Sequence, residues 1–380
     1  MRNPLCTRLL RALFLLSAFL LASCSLLPAP STTSQTPPLP SLPAVSVKQL
    51  SFAVEGSPFR FIGANAIYFG FYRQYGLSIE EALQSAKENG LSVIRIYLGF
   101  GDSPWGGRAY EEYDRVLDIA AKHGVYIIAT LTDCCCFGTS WGNTPENYFA
   151  KVPYCNLADA AALDSFKGYI KSILLRKNTV NGKIYRDDTT ILAWDIANEP
   201  ALQCFSSSEL HDWLQQVVTF VKSIDPNHLI TIGIDAHSNL YSTDGPHYEA
   251  LNVPGLDFFS FHYNLPNYRV VKQHLDRLAY RVSRFLAMGK PVVLEEFGVG
   301  SQRILGTNVD KNTLDGWLQS YHDQLDIVFS LGASGAMFWG WGVSGTETVP
   351  LWWNQEDHDV TETEFCTLLR EYVMPPSPAQ

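Results

Sequence analysis

The stretch ILAWDIANEP, Ile191–Pro200, joins an apolar strand to a carboxylate at its end. Its first seven residues are mostly apolar, which is typical of a strand covered on both faces in a parallel sheet. Asn198 and Glu199 follow, and Pro200 ends the strand because proline cannot donate to a sheet hydrogen bond. A polar loop explains this ending without any function, whereas a partner carboxylate at another strand end would indicate a site.

Strands of this kind alternate with helices along the rest of the chain. Short runs such as SVIRIYL, VYIIATL and PVVLEEF are typical of strands. SIEEALQSAKENG predicts a helix that begins with the capping pair Ser78 and Glu81 and ends at Gly90. Further helices are predicted near 110–123, 160–176, 210–224, 270–288, from 313, and over 361–373. The connection between the fifth and sixth strands has no clear helix.

This alternation predicts an α/β fold, a single (β/α)8 TIM barrel. Eight strand candidates alternate with helices and no second zone of composition appears. A short β-hairpin around Glu55 and Gly56 precedes the first barrel strand. A doubly wound sheet is the alternative, but no glycine-rich phosphate-binding turn follows the first strand.

Polar residues stand at the carboxyl ends of the predicted strands, where active sites of such barrels lie. One of them alone is explained as an ordinary loop residue, but their convergence at one end of the barrel indicates a site. The residues are Asn65, Arg95, Asp133, Asn198, Glu199, His262, Glu296 and Trp339.

Two of these residues are carboxylates on strands that face each other across the barrel. Glu199 ends the fourth strand and Glu296 ends the seventh, whereas Glu295 is expected on the opposite face of its strand. A carboxyl pair in different environments suits cleavage of a glycosidic bond, with one group as acid and the other as nucleophile or base. Arg95, at the end of the second strand, is suited to keep one carboxylate ionised. A separation of ~5–5.5 Å would mean retention and ~6.5–9.5 Å inversion, and both remain open from sequence.

The motifs WDIANEP and VVLEEFG, together with Arg95 and Trp339, resemble glycoside hydrolase family five, in the clan of retaining barrel glycosidases. Residues 166–200, the run FVKSIDPNHLITIG at 220–233 and the opening GSPFRFIGANA resemble its endo-β-1,4-mannanases more closely. The resemblance spans essentially the whole predicted domain. It implies a double displacement that cleaves β-1,4-mannosidic bonds in mannan or glucomannan, with Glu199 as acid/base and Glu296 as nucleophile.

The resemblance also implies the residues that bind substrate. Asn198 would hold the C2 hydroxyl of the sugar, and Arg95 would brace the nucleophile. His262 would join the same hydrogen-bond network, with Tyr263 beside it. Trp339 would form the floor of the cleavage subsite. No cofactor and no metal are implied.

Two departures from the family leave the substrate open. The family usually has an aromatic residue two positions after the sixth-strand histidine, where this chain has Asn264. After the third strand, LTDCCCFGTSWGN replaces an Asn-Asn-aromatic run. An exo-β-mannosidase, an endo-β-1,4-glucanase, or a non-catalytic carbohydrate-binding lipoprotein are therefore the alternatives, the last disfavoured by two intact glutamates. Hypothetical sugar platforms in predicted loops are Trp105, Trp141, Trp352 and Trp353, and Trp341 could share a face with Trp339.

The N-terminus predicts export and lipidation. Basic residues precede the run ALFLLSAFLLA, which is too short for a membrane span and is typical of a signal peptide. LASC, ending at Cys24, resembles a bacterial lipobox, which gives a signal peptide over 1–23 and a lipidated Cys24. Ser25 resembles the pattern of the outer membrane. The Pro- and Ser-rich residues 24–47 then predict an extended tether, followed by the barrel domain over 48–380.

Composition limits the partners. A formal net charge of −10 argues against nucleic acid and against anionic membrane surfaces, so the lipid anchor is the expected membrane contact. Aromatic residues make up 13% of the chain, and flat rings suit sugar rings; the family resemblance implies that the sugar polymer is plant cell-wall β-mannan or a related polysaccharide. A monomer is expected. Loop disulfides of unknown pairing are predicted among Cys134, Cys135, Cys136, Cys155, Cys204 and Cys366.

Overall fold

The computed structural model describes residues 41–66, 69, 78–98, 109–132, 160–200, 206–236, 247–265, 272–299, 311–341 and 358–378. No helix within these ranges is long and apolar enough to cross a membrane. Several residues of the sequence analysis lie outside them, namely Cys24, Trp105, Asp133, Cys134, Cys135, Cys136, Trp141, Cys155, Cys204, Trp352 and Trp353.

A three-stranded antiparallel sheet opens the described chain, with β1 (Val45–Lys48), β2 (Ser51–Val54) and β3 (Ser57–Phe59). The turn between β2 and β3 has Glu55 at a φ of 49° and Gly56 at 79°, the left-handed geometry that suits a two-residue hairpin. The predicted hairpin is thus confirmed, and β1 extends it.

Residues 41–47 pack against the domain, although the sequence analysis assigned them to the tether. Val45 is buried, and the Tyr126 hydroxyl donates to the Pro43 carbonyl at 2.8 Å. Leu42 packs on the apolar core at the amino end of the barrel, to which Phe52 and Phe61 also belong. The packed unit therefore begins before residue 48, because a proline-rich run with scattered apolar residues can lie along a surface.

Eight parallel strands of the described chain close into a barrel, as predicted. In chain order they are β4 (Phe61–Asn65), β5 (Val93–Tyr97), β6 (Tyr126–Thr130), β7 (Ile191–Asn198), β8 (Leu229–Asp235), β9 (Phe259–Leu265), β10 (Val292–Val299) and β11 (Gly335–Phe338). All eight residues of β7 are buried, which explains its near-continuous apolar sequence. Glu199, the carboxylate that follows β7, therefore lies at the mouth of the barrel.

Helices pack around the barrel, all but one of those described at the predicted places. They are α1 (Ile79–Glu88), α2 (Ala109–His123), α3 (Ala160–Leu174), α4 (Ser207–Ile224), α5 (His247–Ala250), α6 (Lys272–Leu286), α7 (Lys311–Ser330) and α8 (His358–Glu371). Ser78 caps α1 by accepting from the Glu81 amide at 3.1 Å. The four-residue α5 lies between β8 and β9, which is why the sequence showed no clear helix there. Cys366 is buried on α8.

A bulge in β10 changes the direction of one glutamate. Leu294 pairs with Phe261 and Glu296 with His262, so two steps along β10 match one step along β9. Glu295 is the extra residue, and its carbonyl accepts from the Asn65 amide at 2.9 Å. The expectation that Glu295 points to the opposite face from Glu296 is wrong, because the bulge lets both side chains reach Arg95.

Candidate active site

Nine polar side chains meet at the carboxyl end of the barrel, and we call them the mouth cluster. They come from β4, β5, β9, β10 and the end of β7. The cluster consists of Asn65, Arg95, Tyr97, Asp195, Asn198, Glu199, His262, Glu295 and Glu296.

Arg95 is the centre of the mouth cluster and is fully buried. Its Nη1 lies 2.6 Å from Glu296 Oε1, and its Nη2 donates to Asp195 Oδ2 at 2.6 Å and to Asn198 Oδ1 at 2.9 Å. Burial alone would lower the pKa of Arg95, but Glu295 and the other surrounding acidic groups raise it well above its usual range. The guanidinium therefore stays charged and ties β5 to β7 and β10.

Glu296 accepts two hydrogen bonds on one oxygen. Besides Arg95, the hydroxyl of Tyr97 donates to Oε1 at 2.7 Å, and Nδ1 of His262 lies 3.6 Å from Oε2. Burial raises the pKa of Glu296, while the positive charges of His262 and Arg95 oppose that rise. The carboxylate is thus fixed in orientation and has cations on both sides, which suits a group that must attack as an anion.

Glu199 stands just beyond β7 in an unusual backbone conformation. Its φ is 44°, in the left-handed region that non-glycine residues rarely adopt. Pro200 disfavours the right-handed helical alternative at the preceding residue, and the Glu199 amide donates to the Gly233 carbonyl at 2.8 Å. The side chain is 19% exposed, against 7% for Glu296, so Glu199 is the more accessible carboxyl of the pair.

The two catalytic candidates lie close together. One carboxylate oxygen of Glu199 and one of Glu296 are within 4.8 Å of each other, with a ring nitrogen of His262 in the same group. This is the only set of three possible metal ligands that we find in the described ranges. Within this set, His262 Nδ1 is hydrogen-bonded to Glu199 Oε1 at 2.8 Å.

His262 bridges the glutamates. Its Nδ1 is 2.8 Å from Glu199 Oε1, and its Nε2 is 3.4 Å from Glu295 Oε2. Burial alone would lower the pKa of His262, but Glu296 and the hydrogen bonds to Glu199 and Glu295 raise it to about 10. The imidazole is therefore a cation at neutral pH and donates from both nitrogens.

Asp195 lies beneath this layer and shares Arg95. Its Oδ2 accepts from Thr130 at 2.8 Å, and its Oδ1 accepts from the Gly233 amide at 3.0 Å. Burial and the nearby Glu295 raise the pKa of Asp195 to about 7, against the opposing effect of Arg95. Among the described residues, the mouth cluster thus combines two cations with four carboxyls, and it reaches charge balance only when two carboxyls hold protons.

Of the three remaining predicted residues, Trp339 lies at the mouth of the barrel and Tyr263 and Trp341 do not. Trp339 reaches the mouth, where its ring meets the Tyr97 ring edge-on at 6.3 Å. Tyr263 does not join the mouth cluster: it is buried, and its hydroxyl donates to the His274 carbonyl of α6. Trp341 packs in the core and donates to the Ala82 carbonyl of α1.

Sequence analysis missed Tyr97, Asp195 and Gly233, and it misplaced Glu295. The available signal was spacing, because Tyr97 follows Arg95 by two residues on a strand and so shares its face. Gly233 carries no chemistry, yet an added Cβ would lie 2.4 Å from Glu295 Oε2 and 2.8 Å from His262 Nε2. Its lack of a side chain makes room for the mouth cluster.

A (β/α)8 barrel with two close carboxyls at its mouth, one braced by arginine and tyrosine and one by histidine, defines the glycoside hydrolase class. The chain matches the family described as "GH family 5 beta-mannosidase-like" over residues 139–362, which is more than half of its length. It belongs to glycoside hydrolase family 5. The matched range contains Glu199, His262 and Glu296, whereas Arg95 precedes it.

The chain is also similar to plant proteins named as mannan endo-1,4-beta-mannosidases. "Mannan endo-1,4-beta-mannosidase 5" of Solanum lycopersicum is 30% identical over 249 residues, which are 57% of this chain and 57% of the tomato protein. "Mannan endo-1,4-beta-mannosidase 2" of Oryza sativa subsp. japonica is 27% identical over 383 residues, covering 81% of this chain and 78% of the rice protein. The chain thus aligns with just over half the length of the tomato relative.

Solved structures show the same fold. The endo-1,4-beta-mannanase from Rhizomucor miehei superposes with a TM-score of 0.64 at 21% identity, covering 87% of this chain and 100% of the other. A family 5 mannosidase from Rhizomucor miehei gives 0.68 at 20% identity, covering 86% and 96%. The two structures therefore share the barrel fold with this chain.

Proposed function

We propose that the chain is a retaining endo-β-1,4-mannanase that cleaves mannan or glucomannan by double displacement. The observation that carries the proposal is the spacing of Glu199 and Glu296: one carboxylate oxygen of each lies within 4.8 Å of the other. The oxygens lie closer together than the ~6.5–9.5 Å between the carboxyls of inverting enzymes and near the ~5–5.5 Å of retaining ones, which supports retention. The names of the relatives support mannan as substrate.

In the first step, Glu296 attacks the anomeric carbon and Glu199 gives its proton to the departing sugar oxygen. Arg95 and Tyr97 fix the attacking carboxylate from the side of Oε1, so little reorientation is needed as its charge moves to the sugar. The products are a glycosyl ester on Glu296, a free sugar chain, and an ionised Glu199.

In the second step, Glu199 takes a proton from water, and the resulting hydroxide equivalent attacks the anomeric carbon and displaces Glu296. Glu199 is the more exposed of the two glutamates, which suits a group that must meet water. Two inversions give net retention at the anomeric carbon, and Glu199 again carries its proton.

Two further residues would hold the sugar at the point of cleavage. Arg95 donates to Oδ1 of Asn198, and since arginine cannot accept a hydrogen bond, this contact fixes which amide atom is the oxygen. We assign the Asn198 amide nitrogen to the C2 hydroxyl of the bound mannose. We assign the half-buried ring of Trp339 to the floor beneath that sugar.

The roles of the glutamates are separated by two variants assayed on mannan and on an aryl mannoside with a good leaving group. Glu296→Gln should lose activity on both substrates. Glu199→Gln should lose activity on mannan but still release the aryl group, because a good leaving group needs no proton. Azide should then restore turnover of Glu199→Gln as a β-mannosyl azide. Full activity of either variant on mannan would contradict the assignment, and an inactive parent chain would favour the carbohydrate-binding alternative.

The product profile decides between endo and exo action. Mannan, glucomannan and cellulose oligosaccharides should be digested in parallel and sampled in the first minutes. Internal cleavage should give several manno-oligosaccharides at once. Mannose as the sole early product would support an exo-β-mannosidase, and cleavage of cellulose but not mannan would support an endoglucanase.

We further propose that the protein is an exported lipoprotein held at the bacterial outer membrane through Cys24. The support is the arrangement of charged, apolar and small residues before Cys24, with Ser25 after it. Metabolic labelling with a tritiated fatty acid in a bacterial host should label the full chain and not Cys24→Ala. Equal labelling of both would contradict lipidation at this residue.

A further inference from the structure

The bulge in β10 places Glu295 behind the histidine of the mouth cluster. Glu295 is fully buried, its Oε2 is 3.4 Å from His262 Nε2, and its Oε1 is 3.6 Å from Arg95 Nε. Gly233 lies against the same oxygen, so any side chain on that residue of β8 would occupy the space of the glutamate. The bulge and the glycine together bring a second carboxylate to the far nitrogen of His262.

His262 therefore lies between two carboxyls, Glu295 at Nε2 and Glu199 at Nδ1. We call this row the acid–histidine–acid chain. Other charged or titratable groups face it from each strand packed around it: Arg95 and Tyr97 from β5, Asp195 from β7, and Glu296 from β10. Of these groups, Glu296 is the closest carboxylate besides the two ends of the chain, with Oε2 at 3.6 Å from Nδ1.

We propose that Glu295 is a positioning residue for the proton transfers of Glu199, acting through His262 by keeping both imidazole nitrogens protonated throughout the reaction. The inference rests on the proposed function of Glu199 as acid/base. It assigns a task to a residue that contacts neither the sugar nor the attacking carboxylate.

The need for Glu295 arises in the second half of the reaction. Once Glu296 is bound to the sugar as an ester, it has lost the negative charge that faced His262. Glu199 is then ionised, with its Oε1 2.8 Å from His262 Nδ1, which carries a proton. If that proton moved from Nδ1 to Oε1, the pair would become a neutral imidazole and a neutral carboxylic acid, and Glu199 could no longer accept a proton from water.

Glu295 opposes this transfer because it is a buried carboxylate whose charge the reaction does not change. Arg95 and His262 hold the pKa of Glu295 below its usual range despite its burial. A negative charge at Nε2 stabilises the imidazolium over the neutral ring. The proton therefore stays on Nδ1, and Glu199 remains a base until water arrives.

The direct test is an NMR titration of His262 in the full-length protein labelled with 13C at the histidine Cε1, with no substrate present. The chain has 9 histidines, and the His262 signal is the one missing from His262→Gln. In Glu295→Gln the His262 midpoint should fall by about one to three pH units, because an opposite charge within a few ångströms is lost. Asp195→Asn removes another buried carboxylate, which hydrogen-bonds to Arg95, and it should lower the midpoint by less than Glu295→Gln does.

An unchanged His262 midpoint in Glu295→Gln would overturn the proposal, as would an equal fall in Asp195→Asn. Glu295→Asp restores the charge and should recover part of the shift. If Glu295→Gln does not fold, Glu295→Asp still decides: its shorter side chain should lower the midpoint by less than one unit, and a midpoint above that of the parent would contradict the assigned role. This titration does not depend on any glycosidase activity.

The kinetic test uses dinitrophenyl β-mannobioside, whose first step needs no acid. Glu295→Gln should slow the second step, so that the glycosyl-enzyme accumulates, a burst of dinitrophenolate appears, and kcat and KM fall together about tenfold or more. The ratio kcat/KM, which reports the first step, should change little. A fall of kcat/KM equal to that of kcat would overturn the role in the second step. An inactive parent enzyme would instead contradict the proposed function and leave the titration to decide.

Discussion

The Tyr97 hydroxyl lies 2.7 Å from Oε1 of Glu296 and is the acceptor of a hydrogen bond from Arg95 Nη1 at 2.5 Å. The hydroxyl has two acceptors, Glu296 Oε1 at 2.7 Å and Asn198 Oδ1 at 3.4 Å, and the phenolic proton points to the nearer and charged one, the carboxylate. Tyr97 is held in turn by Tyr113 of α2, whose hydroxyl donates to the Tyr97 carbonyl. The second barrel strand thus supplies both groups that donate hydrogen bonds to Glu296.

Tyr97→Phe removes that hydroxyl and little else, because the ring stays buried against Trp339. Loss of a hydrogen bond to a charged group should lower kcat by about 10- to 100-fold with a small change in KM. Tyr126→Phe is the matched control, since its hydroxyl donates to Pro43 at the other end of the barrel. It should keep full activity, and an equal loss in both variants would contradict a role of the Tyr97 hydroxyl at Glu296.

Gly233→Ala should lower activity, although Gly233 has no functional group of its own. Its Cβ would lie 2.4 Å from Glu295 Oε2 and 2.8 Å from His262 Nε2, so both side chains or the strand itself must move. We expect a loss of about 1–3 kcal/mol in the free energy of unfolding and ~100-fold or more in kcat/KM.

The control for this glycine is Gly168 in the exposed part of α3, where an added Cβ meets no atom within 4 Å. Gly168→Ala should stabilise the protein by about 0.5–1 kcal/mol, because alanine is the better helix former, and should leave activity unchanged. Urea unfolding and initial rates on mannan measure both effects. A Gly233→Ala variant with the activity of the parent would show that the mouth cluster does not need this space.

Stability should fall as the pH rises from 7 to 9. The pKa of His262 is raised to about 10 in the folded protein, against 6.5 for the free side chain, so the folded state holds a proton that the unfolded chain releases. This contribution is complete below pH 6.5 and is lost as the pH rises through 10, with a slope of up to ~1.4 kcal/mol per pH unit between them. Urea midpoints of the parent should fall over that range, and those of His262→Gln should fall less. Parallel curves for both proteins would contradict a raised pKa of His262.

The barrel could be predicted from sequence because local signals agree with the fold. The strands are short and apolar, and Ser78 caps its helix as its spacing with Glu81 indicates. Glu199 and Glu296 could be paired because both end a strand, and parallel strands of a barrel present their carboxyl ends to one mouth.

The parts that the sequence did not reveal depend on contacts between strands. The direction of Glu295 depends on a bulge set by the pairing of β10 with β9, and a period-two pattern places it on the wrong face. Tyr263 follows His262 by one residue and therefore faces α6, as alternation along β9 requires. In the sequence, Asp195 is a single polar residue in an apolar strand. Its role became clear from the structure, where it accepts a hydrogen bond from Arg95.

At Glu199 the backbone and the chemistry favour different residue types, because its φ of 44° lies in the left-handed region. Glycine is the residue that this geometry favours, and glycine cannot carry a proton to a leaving sugar. Between two variants that both lack the carboxyl, Glu199→Gly should therefore be more stable than Glu199→Ala by about 1 kcal/mol, the reverse of the order in a helix. Selection for thermal stability alone would therefore favour glycine at position 199 and remove the acid from the mouth of the barrel.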